Sequence, residues 1–239
     1  MTRRRWIADQ VTGNRAALTG EHADHLIRVL RASVGQEFDV ATSGVVRRAR
    51  VVSVEDSRVE FELGDEVPLL PVPKLTLLLA VFKFDRMEWA IEKCTELGVT
   101  RVVPAIAQRT HAHLAAAAAK RVERWRRIAL QAAEQSRRTT PPEIAAPAQL
   151  SEAVSLTGGL RIVLSESEQQ LQLRDALESQ PTDSAEETIL AVGPEGGWTT
   201  DELKQFQQAR WISASLGNTI LRAETAAIAA TAIIISAQR

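Results

Sequence analysis

The sequence lacks the features by which secreted and membrane proteins are usually identified. It contains a single cysteine, Cys94, so no intrachain disulfide can form, which suits a reducing cytoplasm. The longest apolar run, residues 228–236, is too short to cross a bilayer, and no apolar segment follows the basic residues at the N-terminus. We therefore expect a cytoplasmic protein that is not attached to a membrane.

The common motifs of nucleotide sites, hydrolases and metal centres are also missing. There is no Walker A sequence, no Gly-x-Gly-x-x-Gly after a strand and no Gly-x-Ser-x-Gly. No cluster of cysteines or carboxylates joins the histidines His22, His25, His111 and His113. The sequence therefore favours neither a Rossmann-type cofactor site nor a serine nucleophile, and it predicts no metal.

The charges are unevenly distributed along the chain. Hydrophobic residues make up 45% and charged residues 25%, as in ordinary globular domains, and the formal net charge is −1. Residues 1–50 nevertheless carry a net charge of +4 and residues 83–138 carry +6, while residues 51–82 carry −4 and residues 139–239 carry −7. The two basic segments could form a cationic surface for a polyanion, or they could simply solvate helices and strands.

The hydrophobic pattern divides the chain into a β-rich domain, residues 1–70, and an α/β domain, residues 74–239. In the first domain we predict a helix over residues 20–30 and strands over residues 37–41, 50–54 and 58–63. The proline-rich residues 68–73 form an extended linker. In the second domain we predict strands over residues 75–81, 102–106, 161–164, 188–192 and 211–216, and helices over residues 86–97, 115–136, from 199 onward and over 224–237. This alternation is typical of a parallel sheet covered by helices.

Two glycine-containing segments follow predicted strands of the second domain. Residues 192–198 read Val-Gly-Pro-Glu-Gly-Gly-Trp, and residues 216–226 contain Leu-Gly-Asn-Thr-Ile-Leu-Arg-Ala-Glu. Open α/β sheets bind ligands at the carboxyl ends of their strands, and glycine lets the backbone approach a ligand closely. The two segments therefore indicate a small-molecule site, although each could also be an ordinary strand-to-helix turn.

Several ordered segments of the chain resemble the SPOUT superfamily of RNA methyltransferases and, within it, the small-subunit ribosomal RNA methyltransferase E family. They are residues 25–31 with Gly35, residues 85–89 and 93–99, the block of Trp125, Ile128, residues 132–136, Arg138 and Pro142, and the two glycine segments. The chain departs from the family pattern at Phe84 and Arg137, where the family usually has glycine.

The resemblance implies a fold and an activity. The expected fold is a PUA-like β-barrel, residues 1–70, followed by a SPOUT α/β domain, residues 74–239, with a C-terminal trefoil knot and a homodimeric assembly. The implied activity is S-adenosylmethionine-dependent methylation of N3 of one uridine in 16S ribosomal RNA of the 30S subunit. The alternatives are methylation of a ribose 2′-hydroxyl or another base, and a non-catalytic RNA-binding ribosome assembly factor.

The sequence pattern and the resemblance together assign residues to three roles. The expected cofactor-binding residues are Leu164, Ser165, Glu166, Val192, Gly193, Pro194, Glu195, Gly196, Gly197, Leu216, Gly217, Ile220 and Leu221. The expected catalytic residues are Arg222 for stabilising charge on the uracil, Glu224 for accepting a proton or capping the last helix, and Arg138, which could come from the partner subunit. The expected RNA-binding residues are Arg3, Arg4, Arg5, His25, Arg28, Arg31, Lys83 and Arg86.

Overall fold

The computed structural model describes residues 5–42, 44–68, 73–179 and 187–238, which divide into two compact units. The first unit contains the described residues up to 68 together with Ala133–Pro141. The second contains residues 73–132 and the described residues from Pro142 onward. The sequence pattern places Ala133–Pro141 in the second domain, so its return to the first unit is visible only in the structure. None of the described helices is both long and apolar enough to span a membrane.

The first unit is built on one six-stranded sheet with the strand order β1-β4-β5-β6-β3-β2. Its strands are β1 (Arg5–Ile7), β2 (Gln10–Thr12), β3 (Arg15–Thr19), β4 (Glu37–Thr42), β5 (Val45–Glu55) and β6 (Arg58–Glu66). A short helix, α1 (Gly20–Asp24), continues into a π-helical turn, His25–Val29. The predicted helix and three strands are confirmed; β1 to β3 were not predicted, because they are short and β2 is exposed throughout.

The two edges of this sheet are joined by consecutive residues. The backbone N–H of Ala8 donates to Ala41 O of β4, and that of Asp9 donates to Ala17 O of β3, both at 3.0 Å. Since β1 pairs with β4 and β2 pairs with β3, the chain turns at Ala8 from one edge of the sheet to the other. The sheet is therefore curved back on itself, and the PUA-like barrel stays a prediction.

An imidazole between two carboxylates attaches Ala133–Pro141 to the rest of the first unit. His22 Nε2 lies 3.2 Å from Glu134 Oε1, and His22 Nδ1 lies 3.1 Å from Asp9 Oδ1. Glu134 and, to a smaller extent, Asp9 together raise the pKa of His22 to about 9 against the opposing effect of burial. His22 is therefore a cation at neutral pH, and its two ion pairs hold Glu134 against the residues that follow β1.

The same segment contains a strained residue. Arg137 adopts a φ of 61°, the left-handed region that side chains other than glycine rarely enter. Its carbonyl oxygen accepts a hydrogen bond from Arg5 Nη1, which helps to hold this conformation. The glycine that the family pattern has at this position is thus explained by backbone geometry.

The second unit contains a seven-stranded sheet in which every recorded strand pair is parallel. The order is β10-β8-β7-β12-β11-β13, and β9 pairs with β8. The strands are β7 (Leu75–Ala80), β8 (Arg101–Ile106), β9 (Glu143–Ile144), β10 (Ala148–Gln149), β11 (Leu160–Leu164), β12 (Thr188–Val192) and β13 (Ile212–Ala214). The helices are α2 (Phe84–Leu97), α3 (Ala112–Gln135), α4 (Leu150–Ala153), α5 (Leu173–Glu178), α6 (Thr200–Gln208) and α7 (Ala223–Ala237). The predicted α/β alternation is confirmed.

Apolar side chains cover both faces of this sheet. On one face Trp125 of α3 is fully buried with Met87 and Ile91 of α2. On the other, the rings of Trp198, Phe206 and Trp211 pack in series, with ring centroids 5.0 Å apart at each step. Strands β7 and β12 are buried along their whole length, which accounts for their unbroken apolar sequence. The trefoil knot is a property of the chain path rather than of strand order, and it stays a prediction.

We predict that Arg137→Gly stabilises the protein by about 0.5–1 kcal/mol. Glycine removes the cost of the left-handed conformation, which exceeds the entropy that glycine adds to the unfolded chain. Arg127→Gly is the matched control: Arg127 is exposed within α3, where glycine should cost about 1 kcal/mol. Urea unfolding of the three proteins measures the difference, and a loss of stability in Arg137→Gly would contradict the prediction.

Candidate functional site

A cavity of about 590 Å³ lies in the second unit, at the edge where the parallel strands end. Its walls come from the loops that follow β11, β12 and β13, together with Arg109 from the loop that follows β8. Cavities of this size are typical of small-molecule sites. All thirteen residues predicted to bind a cofactor line this one cavity: Leu164, Ser165, Glu166, Val192, Gly193, Pro194, Glu195, Gly196, Gly197, Leu216, Gly217, Ile220 and Leu221.

The lining combines an apolar floor with polar and acidic groups. The apolar residues include Leu164, Val192, Leu216, Leu221, Ala223 and Ala226. The carboxylates are Glu166, Glu168 and Glu195, and Arg109 is the one cation among the described residues that line the cavity. Ile220 is 80% exposed, so it provides little of the apolar wall that we expected from it. The balance of charge favours a ligand that carries positive charge beside an apolar group.

The loop of residues 193–198, which we call the glycine loop, is folded tightly upon itself. A Cβ atom on Gly193 would lie 3.2 Å from the indole of Trp198, and one on Gly196 would lie 3.3 Å from Arg109 Cδ. Gly197 has a φ of 68°, and its N–H donates to Pro194 O at 2.8 Å. We expected the glycines to admit a ligand; the structure shows that Gly193 and Gly196 make room for side chains of the protein itself.

Trp198 and Glu202 connect the glycine loop to its neighbours. Trp198 Nε1 donates to Leu164 O, at the end of β11, over 3.1 Å. Glu202 is buried and forms the predicted capping box with Thr199, accepting the Thr199 N–H at 2.8 Å. The other oxygen of Glu202 accepts the N–H of Gln108 at 2.7 Å. Three loops at the ends of different strands are therefore joined by hydrogen bonds.

The last of the lining loops contains a glycine with a different role. Gly217 has a φ of 111°, and a Cβ atom added to it would meet no other atom within 4 Å. Its requirement for glycine therefore arises from the backbone conformation and not from crowding.

The three predicted catalytic residues occupy different environments. Arg222 is exposed and is the N-cap of α7, between the cavity-lining Leu221 and Ala223. Glu224 is buried, and its Oε1 lies 3.3 Å from Arg86 Nη1, while its Oε2 has no hydrogen-bond partner among the described residues. No backbone N–H of a described residue donates to either oxygen, so both roles of Glu224, proton acceptor and helix cap, stay predictions. Arg138 belongs to the first unit, where burial lowers its pKa to about 10.

The predicted RNA-binding residues also differ in their exposure and in their partners. Arg28 and Arg31 are exposed, and no ion pair joins either to a described residue. Lys83 is exposed at the N-cap of α2, and exposed His25 packs against the ring of Trp6 at 5.7 Å. Arg5 donates to Arg137 O and Arg86 pairs with Glu224, so both have partners within the protein. Arg3 and Arg4 lie outside the described residues.

The lining residues that sequence reasoning missed include Arg109, Ser167, Glu168, Gln172 and the indole of Trp198. Arg109 follows the carboxyl end of β8, which was a usable signal. Ser167 and Gln172 lie in the segment after β11, where no glycine marks a turn toward a ligand. Among the described residues, no group of three or more His, Cys, Asp or Glu side chains could hold a metal ion.

Comparison with known proteins places this geometry among methyltransferases. Residues 68–235 match the family model described as an RNA methyltransferase domain. The chain is 34% identical to ribosomal RNA small subunit methyltransferase E of Synechocystis sp., over 95% of this chain and 74% of the relative. It is 35% identical to the protein of the same name from Rickettsia conorii, over 90% of this chain and 87% of the relative.

Solved structures agree over almost the whole chain. A crystal structure of a ribosomal RNA small subunit methyltransferase E from Neisseria gonorrhoeae, bound to S-adenosyl methionine, superposes with a TM-score of 0.84 at 29% identity, over 98% of both chains. A Legionella pneumophila methyltransferase in complex with the same cofactor superposes with a TM-score of 0.83 at 26% identity, over 99% of this chain and 98% of the other.

Proposed function

The chain belongs to the ribosomal RNA small subunit methyltransferase E family, within the RNA methyltransferases, and we propose that it transfers a methyl group from S-adenosylmethionine to N3 of one uridine in 16S ribosomal RNA. The observation that carries the proposal is the convergence of all thirteen expected cofactor residues on one cavity at the carboxyl edge of the parallel sheet. The two similar structures with bound S-adenosylmethionine superpose on nearly the whole of this chain.

The cavity fits S-adenosylmethionine in its chemistry. Backbone groups of the loops at Gly193 and Leu216 can read the edge of an adenine, and the apolar strand ends can pack against its faces. The carboxylates of Glu166, Glu168 and Glu195 suit a ligand that carries a sulfonium and an ammonium group. We propose that these residues bind the cofactor, while Ile220 lies at the mouth of the cavity.

The side chains need to position the two reactants and to stabilise the charge that develops during the reaction. When bound, S-adenosylmethionine supplies an electrophilic methyl group. Uridine N3 becomes a nucleophile on losing its proton, so negative charge develops on the uracil. Arg222 is exposed beside the cavity and is the residue that we propose to stabilise this charge. We propose that Glu224, whose Oε1 pairs with Arg86, accepts the N3 proton or caps α7, and that Arg138 is supplied by the partner subunit of a homodimer.

The RNA-binding proposal rests on unpaired positive charge in the first unit. Two of its exposed arginines lie beside carboxylates, in the pairs Arg15–Glu60 at 3.6 Å and Arg50–Glu37 at 3.9 Å. Arg28 and Arg31 have no such partner among the described residues, and they flank the end of a π-helical turn, a feature frequent at functional sites. We propose that they contact phosphates of the RNA.

The remaining parts of the proposal follow the family resemblance. We propose a PUA-like RNA-binding barrel in the first unit, a knotted SPOUT domain in the second, a homodimer, and activity in the cytoplasm on the 30S subunit. The alternatives are methylation of a ribose 2′-hydroxyl or another base, and a non-catalytic assembly role. The identity of the methylated nucleoside separates each of them from this proposal.

We predict that the purified protein, given S-adenosylmethionine and 30S subunits from a strain that lacks the methyltransferase, forms N3-methyluridine in 16S RNA. Nucleoside mass spectrometry detects the product and distinguishes it from 2′-O-methyl nucleosides. Arg222→Gln should lower the turnover rate by at least ~100-fold while cofactor affinity changes little, because the charge is needed only as the reaction proceeds. A methylated ribose would refute the N3 assignment, and no methylation with intact cofactor binding would favour the assembly role.

We predict that Gly217→Ala weakens binding of S-adenosylmethionine by at least ~10-fold. A side chain at a φ of 111° forces the loop that lines the cavity to change shape. Gly13→Ala is the control, since Gly13 has a φ of 59°, open space within 4 Å of where its Cβ would lie, and no place in the cavity. Both variants should lose about 1 kcal/mol of stability. Calorimetric titration that shows equal affinity for both would mean that the loop does not bind the cofactor.

We predict that RNA affinity falls about a hundredfold between ~50 and ~200 mM salt, as expected for about five phosphate contacts. Neutralising Arg28 and Arg31 together should reduce the slope of log RNA affinity against log salt concentration by roughly 1.5 to 2, and it should leave cofactor binding unchanged. Neutralising Arg15 and Arg50, which lie near carboxylates, is the matched control and should change the slope less. An unchanged slope for Arg28 and Arg31, on naked RNA and on 30S particles, would remove them from the RNA surface.

A further inference from the structure

Arg109 is the one cation among the described residues that line the cavity, and its guanidinium is directed at the protein backbone. Its Nη1 donates to the carbonyl oxygens of both Gly196 and Trp198, the latter at 3.3 Å. Its aliphatic stem lies over Gly196, where a Cβ atom would be only 3.3 Å from Arg109 Cδ. The glycine loop therefore contacts Arg109 in two ways: two of its carbonyl oxygens accept hydrogen bonds from the guanidinium, and the absence of a side chain at Gly196 leaves room for the aliphatic stem.

The loop that carries Arg109 is itself fixed on both sides of the arginine. Thr110 Oγ1 donates to Val81 O at 3.0 Å and accepts the N–H of Ala107 at 3.2 Å. The N–H of Gln108 donates to the buried Glu202 carboxylate at 2.7 Å. Arg109 thus projects from a rigid turn, so its hydrogen bonds can impose a position on the glycine loop.

We infer that Arg109 is a positioning residue, which holds the glycine loop in the shape that binds S-adenosylmethionine before the cofactor arrives. One guanidinium nitrogen bound to two carbonyl oxygens fixes the peptide groups that follow Gly196 and Trp198, and both of these residues line the cavity. The inference rests on the proposed cofactor. It identifies Arg109 as the residue that pre-organises the site, and it explains why position 196 is a glycine.

The inference predicts an interaction between two positions that a double-mutant cycle can measure. Arg109→Ala should weaken S-adenosylmethionine binding by about 10- to 100-fold, the effect of losing two charged hydrogen bonds that order a loop. Gly196 does not have a positive φ, so alanine there is resisted by Arg109 and not by the backbone. Gly196→Ala should weaken binding several-fold in the parent but less than twofold further in Arg109→Ala. Additive effects would refute the inference.

Two further variants separate positioning from a general loss of stability. Arg126 also donates to a backbone carbonyl, Ile144 O at 3.2 and 3.3 Å, on the same unit but outside the cavity lining. Arg126→Ala should leave cofactor affinity unchanged even if it destabilises the protein as much as Arg109→Ala does. Arg109→Lys should bind with intermediate affinity, because one ammonium group cannot reproduce the geometry of the guanidinium.

A second ligand distinguishes positioning from direct contact with the cofactor. Methylthioadenosine keeps the adenosine and sulfur but lacks the amino-acid carboxylate that an arginine would bind. If Arg109 orders the loop, Arg109→Ala weakens both ligands by the same factor. A loss confined to S-adenosylmethionine would show a direct contact and overturn the inference.

Hydrogen exchange of the ligand-free protein tests the same idea without any cofactor. The Gly197 N–H, which donates to Pro194 O, should exchange at least ~10-fold faster in Arg109→Ala than in the parent. Unchanged exchange would overturn the inference. A parent protein that fails to bind S-adenosylmethionine would refute the proposed function, whereas the exchange measurement would still decide whether Arg109 orders the loop.

Discussion

The cavity depends on one buried side chain, the indole of Trp198. Its ring lies where a Cβ on Gly193 would come within 3.2 Å of it, its Nε1 donates to Leu164 O at the end of β11, and it packs edge to face with Phe206 in the core. A loop of glycines has high conformational entropy and would not keep one shape unaided. The indole attaches the loop to the sheet, and Arg109 restrains it further by donating to two of its carbonyl oxygens. The open space between these restraints is where we propose that S-adenosylmethionine binds.

The charged residues of the two units suit ligands of opposite charge. The cavity of the second unit is lined by three carboxylates and one arginine whose hydrogen bonds go to the backbone, which suits a cationic ligand and disfavours RNA phosphates there. The first unit keeps Arg28, Arg31 and Arg48 exposed and without ion pairs among the described residues, while Arg15 and Arg50 lie near carboxylates. A near-zero net charge therefore conceals one surface suited to a polyanion and one cavity suited to a cation.

Two of the three described non-glycine residues with a positive φ lie near segments that carry the proposed function, and the third, Arg210, follows α6. Arg31, at a φ of 52°, follows the π-helical turn of the proposed RNA surface, and Arg137, at 61°, immediately precedes Arg138. Such conformations persist only where surrounding contacts impose them. For Arg137 those contacts include the hydrogen bond from Arg5 and the ion pairs of His22 with Glu134 and Asp9 nearby.

The sequence by itself determined the alternation of strands and helices, the helix ends at Gly98 and Thr199, and the positions of the lining loops, because hydrophobic period, glycine stops and capping residues act over a few neighbouring residues. It could not determine what those loops touch. Only the tertiary structure placed Arg109 over Gly196, buried Glu224 against Arg86 and returned Ala133–Pro141 to the first unit. These contacts join residues far apart in the chain, and local pattern carries no information about which distant side chain fills a given space.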